Sequence, residues 1–196
     1  GNVAHGSGNV GQKLQHQILD LESGAYFWSV QAVDDGFARS EWSKAQSFII
    51  DTVSPEVKFE SLGPTRLGIN QTATLALSFF DLHSGLVAEP APTVQVVVGD
   101  EVFDFELVQF TGDSWSGRLT VAAEMPSGSA AIRVSGALDQ KGNVMAVFDT
   151  VDVLGLDTTL PTVTEAFPQI GDSEVGVETE EIPIRFSEPI DPASIS

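Results

Sequence analysis

Acidic and amide side chains beside turn residues are the groups in this sequence best suited to chemistry. The chain has 28 Asp and Glu against 9 Lys and Arg, a formal net charge of −19. Carboxylate and carbonyl oxygens that converge in flexible loops are the ligands of Ca²⁺, about six to eight in total. Calcium is therefore a candidate at two junctions, the first formed by Asp51, Asp81, Asp139 and Asn143, and the second by Asp157, Glu188 and Asp191.

The same residue types are typical of tight turns, which is the alternative for all of these positions. Asp and Asn side chains bond to nearby backbone groups, and Gly adopts positive φ without steric cost. The sequence has no Asp-x-Asp-x-Asp-Gly loop of the kind that marks an EF-hand. Turn formation without any metal therefore remains an open interpretation.

A repeated linker contains the first acid of each set. Asp51-Thr52-Val53-Ser54-Pro55 recurs as Asp157-Thr158-Thr159-Leu160-Pro161, and the numbers of the two Asp residues, 51 and 157, differ by 106. A period of this length is one domain long, which predicts modules in series rather than a stacked solenoid. Proline fixes its own φ and extends the residue before it, so both linkers are expected to be stiff.

Alternating apolar and polar residues predict the strands that position these acids. Between the linkers, seven short strands are expected near residues 57–59, 72–79, 94–98, 103–107, 115–121, 132–134 and 144–154. Seven strands in about a hundred residues, without a helical period, are typical of an immunoglobulin-like sandwich. In that topology the loops after the second and sixth strands lie where the linker joins, which would bring Asp81, Asp139 and Asn143 toward Asp51.

Two resemblances agree with this architecture. Residues 21–34, with Ser40-Glu41-Trp42-Ser43 after them, resemble the C-terminal half of a fibronectin type III domain, in which the tyrosine at position 26 bonds to upstream backbone. The usual proline of that stretch is replaced by Ser23. Residues 80–86, Trp115-Ser116-Gly117 and residues 137–143 resemble Ig-like repeats of large bacterial surface and secreted proteins. Those repeats act as spacers or adhesion modules and often hold calcium at their junctions.

The predicted fold class is all-β, with tandem immunoglobulin-like and fibronectin type III-like β-sandwiches, one complete and two partial. The expected modules are residues 1–51, the C-terminal half of a fibronectin type III-like module; 52–157, a complete Ig-like sandwich; and 158–196, the N-terminal part of another. In the third, Ile182, Ile184 and Phe186 alternate as a strand. Partial sandwiches expose apolar faces, so we expect them to be completed by flanking modules or by strand exchange between copies.

Composition excludes several classes of function. The chain offers no basic face for nucleic acid or anionic membranes. It has no Cys, which excludes disulfides and thiolate metal sites, and no apolar run of membrane-spanning length. Of the three histidines, His5 falls in a glycine-rich end and His16 on a predicted strand, while His83 neighbours Ser84 and Asp81 in a loop without forming a triad. No catalytic residues and no enzyme activity are expected.

The function expected from the sequence is a non-catalytic extracellular spacer or adhesion module of a large bacterial surface or secreted protein. The alternative is a carbohydrate-binding or accessory module of a secreted multidomain enzyme, so that the ligand would be a glycan or a protein. Sugar binding would need exposed aromatic side chains. Trp28, Trp42 and Trp115 are all expected to pack inward, which places this alternative second.

Overall fold

The computed structural model describes residues 15–166 and 183–190 of the 196-residue chain. Every regular element within these ranges is a β-strand. The described residues accordingly contain no long apolar helix that could cross a membrane. The all-β class that the alternation predicts is confirmed. His5, Ile182 and Asp191 lie outside the described residues.

The strands form four sheets. In chain order they are β1 (Gly24–Trp28), β2 (Gln46–Ile50), β3 (Glu56–Gly63), β4 (Arg66–Gly68), β5 (Thr72–Phe80), β6 (Thr93–Val98), β7 (Glu101–Asp104), β8 (Glu106–Phe110), β9 (Ser114–Thr120), β10 (Gly128–Ser135), β11 (Phe148–Asp149), β12 (Leu154–Asp157), β13 (Val163–Ala166) and β14 (Ile184–Phe186). One sheet has the order β3-β5-β9-β8 and another β4-β12-β10-β6-β7, with β11 beside β10. Strands β1–β2 and β13–β14 are separate antiparallel pairs.

The two larger sheets share one hydrophobic core. Along β5 the residues at alternate positions are buried, from Ala73 to Phe79, while Thr72 and Thr74 face solvent. The buried face of β6 contributes Val94, Val96 and Val98 to the same cluster. Each such side chain stabilises the fold by roughly 1.5–3 kcal/mol when fully buried. Two sheets whose inner faces share one core are consistent with a β-sandwich.

The single strand predicted at residues 103–107 is two strands. β7 pairs with β6 in one sheet, whereas β8 pairs with β9 in the other. The chain changes sheets at Phe105, which is buried and donates its N–H to the carbonyl of Val94 at 2.9 Å. Leu107, expected to face inward, is 45% exposed. A period of two residues continues through such a crossing, so alternation alone could not reveal it.

The prediction of one continuous strand at residues 144–154 is also wrong. Only β11 and the start of β12 fall within it, because the Thr150 hydroxyl accepts the N–H of Ile132 at 2.7 Å and Asp152 adopts a φ of 47°. The short strand β4, which pairs in parallel with β12, was not predicted. The strand predicted around His16 is absent as well, since residues 15–22 have no regular structure.

The strand pair β1–β2 exposes aromatic side chains. Tyr26 stacks on Phe48 with ring centroids 5.5 Å apart, and its hydroxyl donates to the carbonyl of Glu22 at 2.8 Å. Trp28 and Trp42, predicted to pack inward, are 49% and 62% exposed. The described residues provide no second layer over this two-stranded ribbon, so an alternating strand here cannot bury either face. Trp115, in contrast, is 1% exposed, as its alternation with Leu119 predicts.

Candidate metal centre

Three of the predicted acids meet where the linker joins the sandwich. Asp51 follows β2, Asp81 follows β5, and Asp139 lies in the loop after β10. One carboxylate oxygen of each lies within 4.8 Å of the corresponding oxygens of the other two. We call these three side chains the carboxylate cluster. The fourth predicted ligand, Asn143, is adjacent: its Nδ2 donates to Asp139 Oδ2 and, at 3.2 Å, to the carbonyl of Asp51.

Asp81 is held by the loop that follows it. Its Oδ1 accepts the backbone N–H groups of His83, Ser84 and Gly85 at 3.2, 2.8 and 2.8 Å. Gly85 adopts a φ of 77°, a conformation that glycine reaches without steric cost. These bonds occupy Oδ1 and leave Oδ2 buried without a hydrogen-bond partner.

Asp139 is fixed in the same way. It is 2% exposed, and its Oδ1 accepts the N–H groups of Lys141 and Asn143, both at 2.8 Å. The two loops are also joined directly, because Gln140 donates its N–H to the carbonyl of Gly85 at 2.9 Å. The two sandwich carboxylates therefore belong to one connected backbone network.

Asp51 brings a third carboxylate from the linker. It is 8% exposed, and its Oδ1 accepts the N–H of Val53 at 3.0 Å. Asp51 Oδ2 and Asp81 Oδ2 are both buried without a hydrogen-bond partner. The ion pairs formed among the described residues involve other acids: Glu60, Glu106, Asp149 and Glu165. A buried carboxylate oxygen that has neither a hydrogen bond nor a counterion destabilises the folded state. A bound cation would supply the missing positive charge.

Local hydrogen bonds keep the two loop carboxylates ionised. Burial opposes the charge of Asp81, and Asp139 repels it, but the three backbone N–H donors outweigh both and lower its pKa. Burial likewise opposes the charge of Asp139, and its bonds from Asn143, Lys141 and Gly142 still lower its pKa. Two adjacent negative charges therefore persist at neutral pH.

These pKa shifts predict a loss of stability in acid. Both folded-state pKa values lie below the ordinary aspartate value of 3.8, so the unfolded chain binds protons first. The resulting stabilisation is complete above that value and is lost as pH falls through the lower folded values. Thermal melts in chelator should therefore show a midpoint that this effect leaves unchanged from about pH 6 to about pH 5 and lowers from there toward pH 3. The asparagine of Asp81→Asn does not titrate, so the melting midpoint of this variant should fall less steeply with pH. An equally steep fall in the variant and the unchanged protein would contradict a contribution from Asp81.

The second predicted set is not assembled among the described residues. Asp157 is exposed, and its Oδ1 accepts the N–H and hydroxyl of Thr159 at 3.2 and 2.7 Å. Glu188 is partly buried after β14. Asp191, the third member, lies outside the described ranges. The geometry at Asp157 is that of a turn, the alternative interpretation of these acids.

A hydrogen-bonded contact between a serine and a linker threonine occurs twice and was not predicted from the sequence. Ser23 Oγ accepts the N–H of Thr52 at 3.0 Å and lies 2.8 Å from its hydroxyl oxygen. Ser127 Oγ makes the same two contacts with Thr158, at 2.8 and 2.9 Å. We call these the serine–threonine contacts. Both serines precede a glycine that begins a strand, so the Ser-Gly dipeptide was the signal that could have revealed them.

The carboxylate cluster is suited to holding a hard cation in a structural position. Its oxygens converge from three segments, and two of its members, Asp51 and Asp139, are buried. The loop residue His83 contributes its backbone N–H to Asp81. No protein-family profile matches the chain, and no curated protein matches it in a sequence search.

Proposed function

We propose that the chain is a non-catalytic spacer or adhesion segment of a large bacterial surface or secreted protein, in which calcium fastens the linker to the sandwich that follows. The observation that carries this proposal is the cluster of one linker carboxylate and two loop carboxylates, with two buried oxygens left unpaired. A cation there would add a bond between the linker and the two loops, which are already joined through Asn143 and Gln140. A stiffened junction suits a protein that must hold a ligand or a neighbouring module at a distance.

The strand order supports the immunoglobulin-like part of the proposal. The orders β3-β5-β9-β8 and β4-β12-β10-β6-β7 resemble the A-B-E-D and G-F-C sheets of that fold, with β4 added at one edge of the second sheet and β7 at the other. The hydrogen bond from the Tyr26 hydroxyl to Glu22, four residues upstream, supports a fibronectin type III-like module before it. Under this proposal the modules are residues 1–51, 52–157 and 158–196.

Calcium fits the carboxylate cluster better than magnesium does. Ca²⁺ accepts six to eight oxygens at about 2.3–2.6 Å in flexible geometry, so it tolerates carboxylate oxygens at any separation within the 4.8 Å limit of the cluster. Mg²⁺ requires near-ideal octahedral geometry at about 2.1 Å and gives up its waters reluctantly. Backbone N–H groups hold Oδ1 of each carboxylate, and Asn143 Nδ2 also holds Oδ2 of Asp139, which limits their freedom to adjust to the smaller ion.

Calorimetric titration of the chelated protein with calcium tests the proposal. We expect heat of binding with one ion per carboxylate cluster, and a weaker response to magnesium under the same conditions. The absence of both heat and a melting shift would contradict the proposal, and the loops would then be ordinary turns. Light scattering on the same samples would detect calcium-dependent association between copies.

Carbohydrate binding is a second candidate because two tryptophans are accessible. Trp28 and Trp42 are about half exposed or more, and aromatic faces of this kind can stack on sugars. Glycan-array binding that is lost in Trp28→Ala and Trp42→Ala, with folding intact, would favour an accessory module of a secreted enzyme. Unchanged binding in both variants would count against it.

A further inference from the structure

The residues Asp51 and Thr52 are neighbours in the chain but contact different parts of the protein. Asp51 belongs to the carboxylate cluster, and its carbonyl accepts a hydrogen bond from Asn143 of the sandwich. Thr52 contacts Ser23, which lies immediately before β1. Two adjacent linker residues therefore hold the sandwich on one side and the β1–β2 ribbon on the other.

We infer that cation binding at the carboxylate cluster is transmitted through the serine–threonine contact to the β1–β2 ribbon. This inference rests on the proposed function and specifies what the bound cation regulates. A cation can bind at the carboxylate cluster because Asp51 is only 8% exposed and its buried Oδ2 has no hydrogen-bond partner. Without a cation, the three carboxylates repel one another, and the carboxylate group of Asp51 is held by a single hydrogen bond, to its Oδ1.

The path from the ion to the ribbon is short and continuous. A cation that fixes Asp51 also fixes the N–H and hydroxyl of the next residue, which both contact Ser23. The residue after Ser23, Gly24, is paired in register with Ile50, which precedes Asp51. The chain therefore closes a small loop in which Asp51, Thr52 and Ser23 must be ordered together. Ordering one of them reduces the entropy lost by ordering the others, so the coupling requires no large movement.

The second linker provides an internal comparison. Thr158 makes the same contacts with Ser127, and its hydroxyl also donates to the carbonyl of Met125 at 2.7 Å. Asp157 beside it caps Thr159 and joins no three-carboxylate group among the described residues. Ser127→Ala therefore removes an equivalent contact at a place where no described cluster can transmit cation binding.

Hydrogen exchange with and without calcium tests the inference residue by residue. We expect calcium to slow exchange in the loops at residues 81–85 and 139–143, and also at Thr52 and in β1–β2, by roughly fivefold or more. Protection of the loops alone would overturn the inference and leave the proposed function intact. Protection of neither would overturn both.

Variants then locate the path. Ser23→Ala should reduce the effect of calcium on β1–β2 while the loops remain protected, and Ser127→Ala should leave both effects unchanged. If Ser23→Ala unfolds the ribbon, Thr52→Val serves instead: it removes the hydroxyl contact, keeps the N–H contact, and should weaken the effect of calcium on β1–β2. Because coupling is reciprocal, calcium affinity should fall in Ser23→Ala and not in Ser127→Ala. Calcium protection of β1–β2 that is undiminished in Ser23→Ala, or in Thr52→Val where Ser23→Ala unfolds, would overturn the inference.

Discussion

Replacing Gly117 with alanine is expected to reduce the free energy of unfolding by about 3 kcal/mol, the upper end of the usual cost of overpacking a core. Gly117 lies in β9, where the Trp115 ring covers it. A Cβ at this position would overlap Trp115 Cη2 and lie 2.8 Å from the carbonyl oxygen of Glu106. The carbonyl belongs to the neighbouring strand, and Trp115 is 1% exposed, so neither can withdraw without disturbing the core. Urea denaturation followed by circular dichroism measures the loss.

The ring has no easy alternative position. Trp115 Nε1 is buried without a hydrogen-bond partner, so packing alone sets where the indole lies. Phe105 meets it edge-on at a centroid distance of 6.3 Å, at the point where the chain changes sheets. Displacing the indole would therefore strain the connection between β7 and β8.

Gly155→Ala in β12 is the matched control. There a Cβ would lie 3.8 Å from Arg66 Cγ, an ordinary van der Waals contact. At a compatible site alanine restricts the unfolded chain and stabilises by about 0.4–1 kcal/mol. Equal losses in the two variants would show that neither reflects overlap with Trp115, and no loss in Gly117→Ala would contradict the packing argument directly.

The strands that could be predicted from sequence are those with one buried face. In β5 the apolar residues alternate over nine positions, from Thr72 to Phe80, and burial of one face imposes that period. The crossing at Phe105 could not be predicted, because the apolar residues Phe103, Phe105 and Leu107 alternate without interruption in the sequence, although Leu107 beyond the crossing is exposed. The short strand β4 was missed because three residues are too few to establish a period.

For the candidate site too, one part could be predicted from the sequence and another could not. The topology of a sandwich led to the expectation that Asp81, Asp139 and Asn143 would lie near Asp51, and the structure brings these residues together. Sequence could not indicate which carboxylate oxygens are free, because that depends on which N–H groups each loop directs at its own aspartate. Nor could it reveal the contact between Ser23 and Thr52, which are 29 positions apart and share no periodic pattern.

Asp81→Asn is expected to remove most of the stabilisation that calcium provides. At a calcium concentration about 100 times the Kd, binding to the folded state alone contributes about 2.7 kcal/mol, or roughly 10 °C in the melting temperature of a domain of this size. Asp81 contributes a full negative charge and an oxygen with no other partner. The amide of asparagine supplies no charge and directs either an N–H donor or a weaker oxygen ligand at the ion.

The same substitution leaves the loop intact, which allows binding to be separated from folding. Asparagine retains an Oδ1 that accepts the three N–H groups of His83, Ser84 and Gly85, so in chelator the variant should melt only slightly lower, because a neutral acceptor forms weaker hydrogen bonds. Asp100→Asn removes an equal charge from an exposed turn and should retain the full calcium shift. A calcium shift that survives in Asp81→Asn would place the ion elsewhere, since a cation at this cluster cannot lose one of three carboxylates without losing affinity.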